Sequence, residues 1–136
     1  MLELPWTTVR GLHVLKCLSA AGKAVPLPRI AAETHVSTAH AARLIARLRE
    51  LGFVESRPGK GFVLARPAGE ISVADVVRGL GASSAKPARC KADYGTCSER
   101  AVCALAPLCR EAEEGLREVF GRFTLAGLDR ELPALA

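Results

Sequence analysis

Residues 37–64 read STAHAARLIARLRELGFVESRPGKGFVL and contain an amphipathic helix followed by a short hairpin. Ser37 is a good helix N-cap, and Gly52 stands where helices commonly end. One face between them is apolar, with Ala41, Leu44, Ile45, Leu48 and Leu51. The opposite face is polar and basic, with His40, Arg43, Arg47 and Arg49. This spacing predicts a helix over residues 38–51 that buries one side and exposes cations on the other.

A β-hairpin is predicted directly after this helix. Residues 53–57 read as a strand, residues 58–61 (PGKG) as a turn, and residues 62–65 as the returning strand. The tip of this hairpin carries the cations Arg57 and Lys60.

Two helices are predicted upstream. The apolar spacing of residues 9–21 is helical and Gly22 ends it, while Pro28 suits the first turn of a short helix that ends at a turn over residues 35–36. Helix, short helix, turn, basic helix and hairpin, in that order, describe a winged helix-turn-helix. The fold class expected is therefore mostly α with a small β-hairpin, followed by a cysteine loop and a long dimerisation helix.

In such a fold the basic helix enters the major groove of DNA, and the hairpin reaches a neighbouring phosphate or the minor groove. We therefore predict contacts with double-stranded DNA from Ser37, Thr38, Ala39, His40, Arg43, Arg47, Arg57 and Lys60. Residues 38–40 and Arg43 are expected to face bases, and Arg43 to read guanine, because an arginine can bond the guanine edge twice. Arg47 and Lys60 are expected to grip the backbone. The alternative is that this surface binds a protein partner.

The charge distribution favours the DNA interpretation. The chain of 136 residues has 19 Lys and Arg against 14 Asp and Glu, a net charge of +5. Residues 1–67 hold 10 basic and 4 acidic side chains, or +6, whereas residues 68–136 hold 9 and 10, or −1. An excess confined to the first half indicates a polyanion-facing module joined to a neutral one.

Membrane and export are not expected. No apolar run approaches the roughly 20 residues of a membrane-spanning helix. The first five residues, MLELP, lack the features of a secretory signal. A cytoplasmic location is the expectation.

The second half is predicted to contain two helices separated by a loop. Ser72 and Asp75 approximate a capping box for a short helix, and residues 81–103 read as an irregular loop. A long helix from Pro107 to about Phe123 has apolar positions at Leu108, Ala112, Leu116, Val119, Phe120 and Phe123. Together these positions form an apolar face wide enough to pack on two surfaces, which predicts a homodimer. The expected division is a DNA-binding domain over 1–67, a short helix and cysteine loop over 68–103, and a dimerisation helix and tail over 104–136.

The chain has five cysteines, of which four are clustered: Cys90, Cys97, Cys103 and Cys109. Their spacing lacks the close Cys-x2-Cys pairs of zinc sites, and a loose loop of three or four thiolates suits an iron–sulfur cluster better. Arg89, Lys91 and Arg100 put positive charge beside these sulfurs. Cys109, near the start of the long helix, is either a fourth ligand or a packed residue. His13 and His35 are rival nitrogen ligands, and Cys17 reads as an ordinary buried cysteine.

The sequence resembles the bacterial winged-helix iron–sulfur regulators typified by IscR, NsrR and RirA. The resemblance covers nearly the whole chain. It rests on short segments and on the cysteine loop: residues 36–37 (VS), 47–52 (RLRELG), 59–64 (GKGFVL), 66–68 (RPA), 71–77 (ISVADVV) and 123–128 (FTLAGL). Each segment alone is weak evidence, but together with the cysteine loop they are specific.

The resemblance implies a homodimer crossed through the long helix, with a cluster near the subunit boundary that biases DNA affinity. Cys90, Cys97 and Cys103 match the three cluster cysteines of that family. This chain departs from the family in a wing about two residues shorter than usual. It also departs at the fourth ligand, because the histidine of IscR-like members is Ala106 here, and the acidic residue of NsrR-like members falls among Thr8, Val9 and Arg10.

The function expected is a DNA-binding transcriptional regulator, acting as a repressor, whose cluster (2Fe-2S or 4Fe-4S) senses redox state, nitric oxide or iron supply. The alternative is a thiol- or zinc-based sensor on the same scaffold without a cluster. An enzyme is not expected, since no Cys-x-x-Cys motif or supported nucleophile–base pair occurs.

Overall fold

Three helices and a two-stranded hairpin form the N-terminal half of the molecule. The structure is a computed structural model that describes residues 6–81 and 106–131. Its elements are α1 (Trp6–Ala21), α2 (Leu27–Thr34), α3 (Thr38–Glu50), β1 (Val54–Arg57), β2 (Gly61–Leu64), a 3-10 turn (Ala68–Glu70), α4 (Val73–Gly81), α5 (Ala106–Arg122) and α6 (Leu125–Glu131). The prediction of a mostly helical winged helix-turn-helix is confirmed.

The core lies where α1, α3 and the hairpin meet. From α1 come Val14, Leu15 and Leu18, and from α3 come Leu44, Ile45 and Leu48. Phe53, Val54, Ile71, Val76 and Leu125 close the cluster. Each such side chain contributes roughly 1.5–3 kcal/mol of transfer free energy on full burial. Because the whole apolar face of α3 is used here, its basic face is turned outward.

The turn between α2 and α3 is set by backbone conformation and a side-chain cap. His35 ends α2 in the left-handed region (φ 56°, ψ 41°), and its amide and that of Val36 donate to carbonyls of the last turn. Ser37 is extended, and its Oγ accepts from the amide of His40 at 3.1 Å. The Ser37 cap is therefore confirmed. It fixes where α3 begins relative to α2.

The hairpin is antiparallel, with Val54 opposite Leu64 and Arg57 opposite Gly61. Its returning strand is joined near the turn to the segment before α2, since Val25 and Phe62 exchange two backbone hydrogen bonds of 2.9 Å. Gly61 lies at φ 118°, and a Cβ there would collide with the Val25 carbonyl. Glycine is thus required at this position by both conformation and space.

Helix α4 packs against α1 through a close approach. A Cβ on Gly11 would overlap the side chain of Leu80, so the glycine lets the two helices come together. Ser72 Oγ accepts from the amide of Asp75 at 3.0 Å, which confirms the Ser72 cap of this helix. The predicted loop over residues 81–103 lies outside the described residues from 82 onward. The predicted domain boundaries stay predictions.

Two short elements lie outside the predictions, the 3-10 turn and α6. Helix α6 is held by tertiary contacts, because Leu125 is fully buried and its amide donates to the Ile71 carbonyl at 3.0 Å. One local signal for α6 was available. Thr124 Oγ1 accepts from the Gly127 amide at 3.2 Å, which is an N-cap contact.

Candidate nucleic-acid interface

The N-cap and first turn of α3 present small side chains to solvent. Ser37, Thr38 and Ala39 are exposed, and Arg43 is exposed one turn further along the same helix. Since the opposite side of α3 is anchored in the core, this turn projects from a rigid body rather than from a mobile loop. Such a turn is the part of a recognition helix that contacts base edges.

His40 is placed differently from its exposed neighbours. Its ring lies edge-on to the ring of Trp6, with centroids 4.2 Å apart and an interplanar angle of 75°. Its Nε2 is buried and has no hydrogen-bond partner among the described residues. The imidazole predicted to face bases is thus covered by the start of α1.

Arg47 points away from the exposed first turn of α3. Its guanidinium pairs with Glu50 at 3.1 Å and donates to the Gly79 carbonyl near the end of α4 at 3.5 Å. This side chain is half exposed. A basic residue near the end of a helix also interacts favourably with that end's dipole. The structure therefore shows Arg47 linking α3 to α4.

The hairpin tip carries the two predicted cations. Arg57 pairs with Glu55 at 3.2 Å, and both side chains are about half exposed. Exposed ion pairs contribute only about 0–1 kcal/mol, so the guanidinium can exchange this partner for a phosphate at little cost. Lys60 is exposed in the turn, where its amide donates to the Arg57 carbonyl at 2.9 Å.

The start of α1 holds a feature that was not predicted from the sequence. Arg10 donates to the carbonyl of Thr34, the last residue of α2, at 3.0 Å, and its guanidinium carbon lies 5.6 Å from the centroid of the Trp6 ring. Trp6 and Arg10 thus connect α1 to the helix-turn-helix. The signal available was a lone tryptophan, followed one turn later by an arginine, ahead of an apolar helix.

Three of the predicted metal ligands, Cys90, Cys97 and Cys103, lie outside the described residues. Cys109 is the fourth residue of α5, within its first turn. Among the side chains that the structure describes, which do not include that of Cys109, no three His, Cys, Asp or Glu residues come together in a way that could hold a metal ion. His13 is partly buried, and its pKa is lowered by that burial and by nearby Arg10 and Lys16.

Cys17 is held as a protonated thiol. Its Sγ donates to Glu33 Oε2 at 2.9 Å, and Arg29 pairs with the other oxygen of that carboxylate at 2.9 Å. Burial, followed by the hydrogen bond to Glu33 and the charge of Glu33, raises the pKa of Cys17 to about 12. The thiolate is the reactive form of cysteine, so the nucleophilic reactivity of Cys17 is expected to be low.

The fold and this basic face define a winged helix-turn-helix protein built to present one helix and one hairpin. Residues 6–131 match the Rrf2 family, described as "Iron-dependent Transcriptional regulator". The match covers nearly all of the chain, and the chain belongs to this family. The resemblance to IscR-type regulators is thereby confirmed.

Sequence relatives carry the name "HTH-type transcriptional regulator IscR". The protein of Xenorhabdus nematophila is 33% identical over 106 residues, which cover 76% of this chain and 63% of that relative. The one from Klebsiella pneumoniae is 32% identical over 106 residues, with 76% and 64% covered. The chain thus spans slightly less than two thirds of the length of these relatives. They are named as regulators rather than enzymes.

Solved structures agree with the fold over almost the whole chain. The IscR of T. potens superposes with a TM-score of 0.75 at 25% identity, covering 96% of this chain and 88% of that one. The oxidized form of Staphylococcus aureus CymR gives a TM-score of 0.75 at 25% identity, covering 97% and 99%. Among the described residues, no helix has the length and apolar character that spanning a bilayer requires.

Proposed function

We propose that this chain regulates transcription by binding double-stranded operator DNA as a homodimer. The observation that carries the proposal is the exposed first turn of α3, with Arg43 one turn beyond it, on a helix whose other face is wholly buried. Membership of the Rrf2 family supports the same function.

The residues have distinct roles in this proposal. Ser37, Thr38, Ala39 and Arg43 lie toward base edges, and Arg43 carries most of the discrimination. Arg57 and Lys60 at the hairpin tip bind phosphates, which position the protein without reading sequence. Arg47, predicted to grip the backbone, would have to leave Glu50 and Gly79 to do so.

The test is to select duplexes from a random library with the wild-type protein and measure their affinity by fluorescence anisotropy over a salt series. Arg43→Ala should cost about 1–3 kcal/mol on the selected sequence and relax preference at one base pair. Arg78→Ala is the matched control, because this exposed arginine on α4 is paired with Asp75 outside α3 and the hairpin. Equal losses for both variants, or no sequence preference in the wild type, would refute the proposed reading of bases.

We further propose that the regulator senses through an iron–sulfur cluster held by Cys90, Cys97 and Cys103, with Cys109 as fourth ligand. The donor set fits, because thiolates are the ligands that such clusters take. The position of Cys109 in the first turn of α5 adds support, since a helix N-terminus favours a thiolate. When bound, the cluster would supply a centre that reacts with oxidants or nitric oxide. A coupling of about 1–3 kcal/mol to DNA binding would suffice.

The test of the cluster is the visible spectrum, with iron and sulfide content, of anaerobically purified protein. Matching iron and sulfide that fall in Cys90→Ala would support the proposal. Cys109→Ala would then decide the fourth ligand. Cys17→Ser is the matched control and should leave the iron content unchanged, since this thiol is engaged by Glu33.

A thiol sensor without iron is the second candidate. It is favoured by the likeness of the fold to CymR of Staphylococcus aureus, solved in an oxidized form, at 25% identity. This candidate function predicts a colourless protein whose DNA affinity changes on treatment with peroxide and is restored by a reducing agent.

A further inference from the structure

Trp6 is a large apolar side chain that is held in place although half of it faces solvent. It is 49% exposed, yet one side of its ring meets His40 edge-on at 4.2 Å between centroids. The Arg10 guanidinium carbon lies 5.6 Å from the same ring centroid. An exposed tryptophan with two such neighbours is positioned rather than free.

Arg10 ties this indole to the helix-turn-helix. It donates to the Thr34 carbonyl at 3.0 Å, at the end of α2 and directly before the left-handed residue His35. A cation at a helix C-terminus offsets the partial negative charge there. The start of α1 is therefore joined to the α2–α3 turn by a side-chain hydrogen bond.

The imidazole of His40 packs against the indole of Trp6. Within the part of the chain that the structure describes, its Nε2 is buried without a hydrogen-bond partner, and its backbone amide is already used by the Ser37 cap. His40 is the third residue of α3, within the turn that the proposed function places at the major groove. Trp6 consequently lies beside the part of the protein closest to DNA.

We propose that Trp6 is a further DNA contact, outside the helix-turn-helix, and that His40 and Arg10 are its positioning residues. This inference rests on the proposed function. The occupant is the sugar–phosphate backbone flanking the groove that α3 enters. The indole N–H is a hydrogen-bond donor for a phosphate oxygen, and such contacts set the orientation of the protein on the duplex. The neighbouring Arg10 adds positive charge at the same place.

The first experiment uses the fact that Trp6 is the single tryptophan of the chain. Wild-type protein is titrated with a fluorescein-labelled duplex selected from a random library. DNA binding is followed by anisotropy, and Trp6 is followed by its emission and by acrylamide quenching in a parallel unlabelled titration. We expect the emission to change, and access to acrylamide to fall at least about twofold, over the concentration range in which the anisotropy rises. Unchanged emission and quenching on bound DNA would overturn the inference, whereas absence of any binding would overturn the proposed function itself.

Two pairs of variants separate contact from positioning. Trp6→Phe keeps a ring but removes the N–H, and we expect an affinity loss of about three- to tenfold, against none for the exposed neighbour Thr7→Ala. His40→Phe should retain both the Trp6 emission of the wild type and most of the affinity, because a ring edge still meets the indole. His40→Ala should lose both. If His40→Phe loses sequence preference while the Trp6 emission is unchanged, His40 reads a base directly and the positioning role is wrong.

Discussion

Helices α3 and α5 are both amphipathic, but they find partners for their apolar faces in different places. Four apolar residues of α3, Ala41, Leu44, Ile45 and Leu48, are no more than 5% exposed. On α5, by contrast, Leu108 is 63% exposed and Leu116 and Val119 are each 38% exposed. The comparison teaches that a helical stripe predicts burial without saying where. One face is covered within the chain, and we propose that the other is covered by a second copy.

The largest effect should come from truncating the buried face. Leu48 is fully buried in the core cluster, so Leu48→Ala should lower the free energy of unfolding by about 2–5 kcal/mol. Urea denaturation followed by circular dichroism measures this. Glu114→Ala on α5 is the control, because this polar side chain is exposed and lies on the opposite side of the helix from the apolar stripe, and it should change the free energy of unfolding by less than about 0.5 kcal/mol. Equal losses would remove the distinction between a buried and an exposed helix position.

The exposed apolar face of α5 should be sensitive to a charge placed within it. Leu116→Glu places a carboxylate in the proposed dimer contact, and we expect the dimer dissociation constant to rise at least about tenfold. Sedimentation velocity over a concentration series would show this as a shift toward monomer. Glu118→Gln, an exposed position on the same helix, should leave the association unchanged. A wild-type chain that is monomeric at all concentrations would refute the second copy as the covering partner.

The cap of α3 should contribute a smaller amount. Ser37→Ala removes the acceptor of the His40 amide and should cost about 1 kcal/mol of stability. Ser37→Asp keeps an acceptor and should restore most of it, but it places negative charge at the proposed DNA face. Asp should therefore rescue the unfolding midpoint while weakening DNA binding. If both variants were as stable as the wild type, the cap would be irrelevant to the fold.

The smallest effect concerns the reactivity of the Cys17 thiol, on α1 in the N-terminal half. Because its pKa is raised to about 12, alkylation at pH 8 should be slow, and Glu33→Gln should speed it about tenfold by removing the charged acceptor. The folded protein is alkylated for increasing times, and peptide-resolved mass spectrometry then measures the rate at Cys17. Glu55→Gln on β1 is the control. The pKa of the Cys17 thiol is higher in the folded protein than in the unfolded chain. The contribution of this thiol to the free energy of unfolding is therefore fully present below pH 9 and is lost as the pH rises toward 12. Rapid alkylation in the wild type would show that Glu33 does not protect the thiol.

Much of the fold was predictable because its signals are local. The caps at Ser37 and Ser72, the glycines of the hairpin and the apolar stripe of α3 each specify a boundary or a face within a few residues. The miss at α6 has a physical reason. This helix is short, and its stability depends on Leu125 reaching a core built from distant segments.

The candidate site was predictable only in part, because periodicity assigns a residue to a face without naming its neighbour. Arg43 lies on the exposed face, as its position in the helix indicates. His40 and Arg47 also belong to the polar side of α3 by spacing, yet one is covered by Trp6 and the other binds α4. Both partners come from elements far along the chain.

The sequence by itself determined the order of elements, the ends of α2 and α3, and the side of α3 that is basic, since these depend on interactions within one or two turns. Tertiary structure decided which polar groups of α3 are left exposed, because α1 and α4 lie at the two ends of α3 and each contacts one of its polar side chains. It also decided the state of Cys17, whose thiol meets Glu33 only when α1 and α2 are brought together. Contacts between distant segments form only when the hydrophobic core packs, and no single sequence motif specifies them.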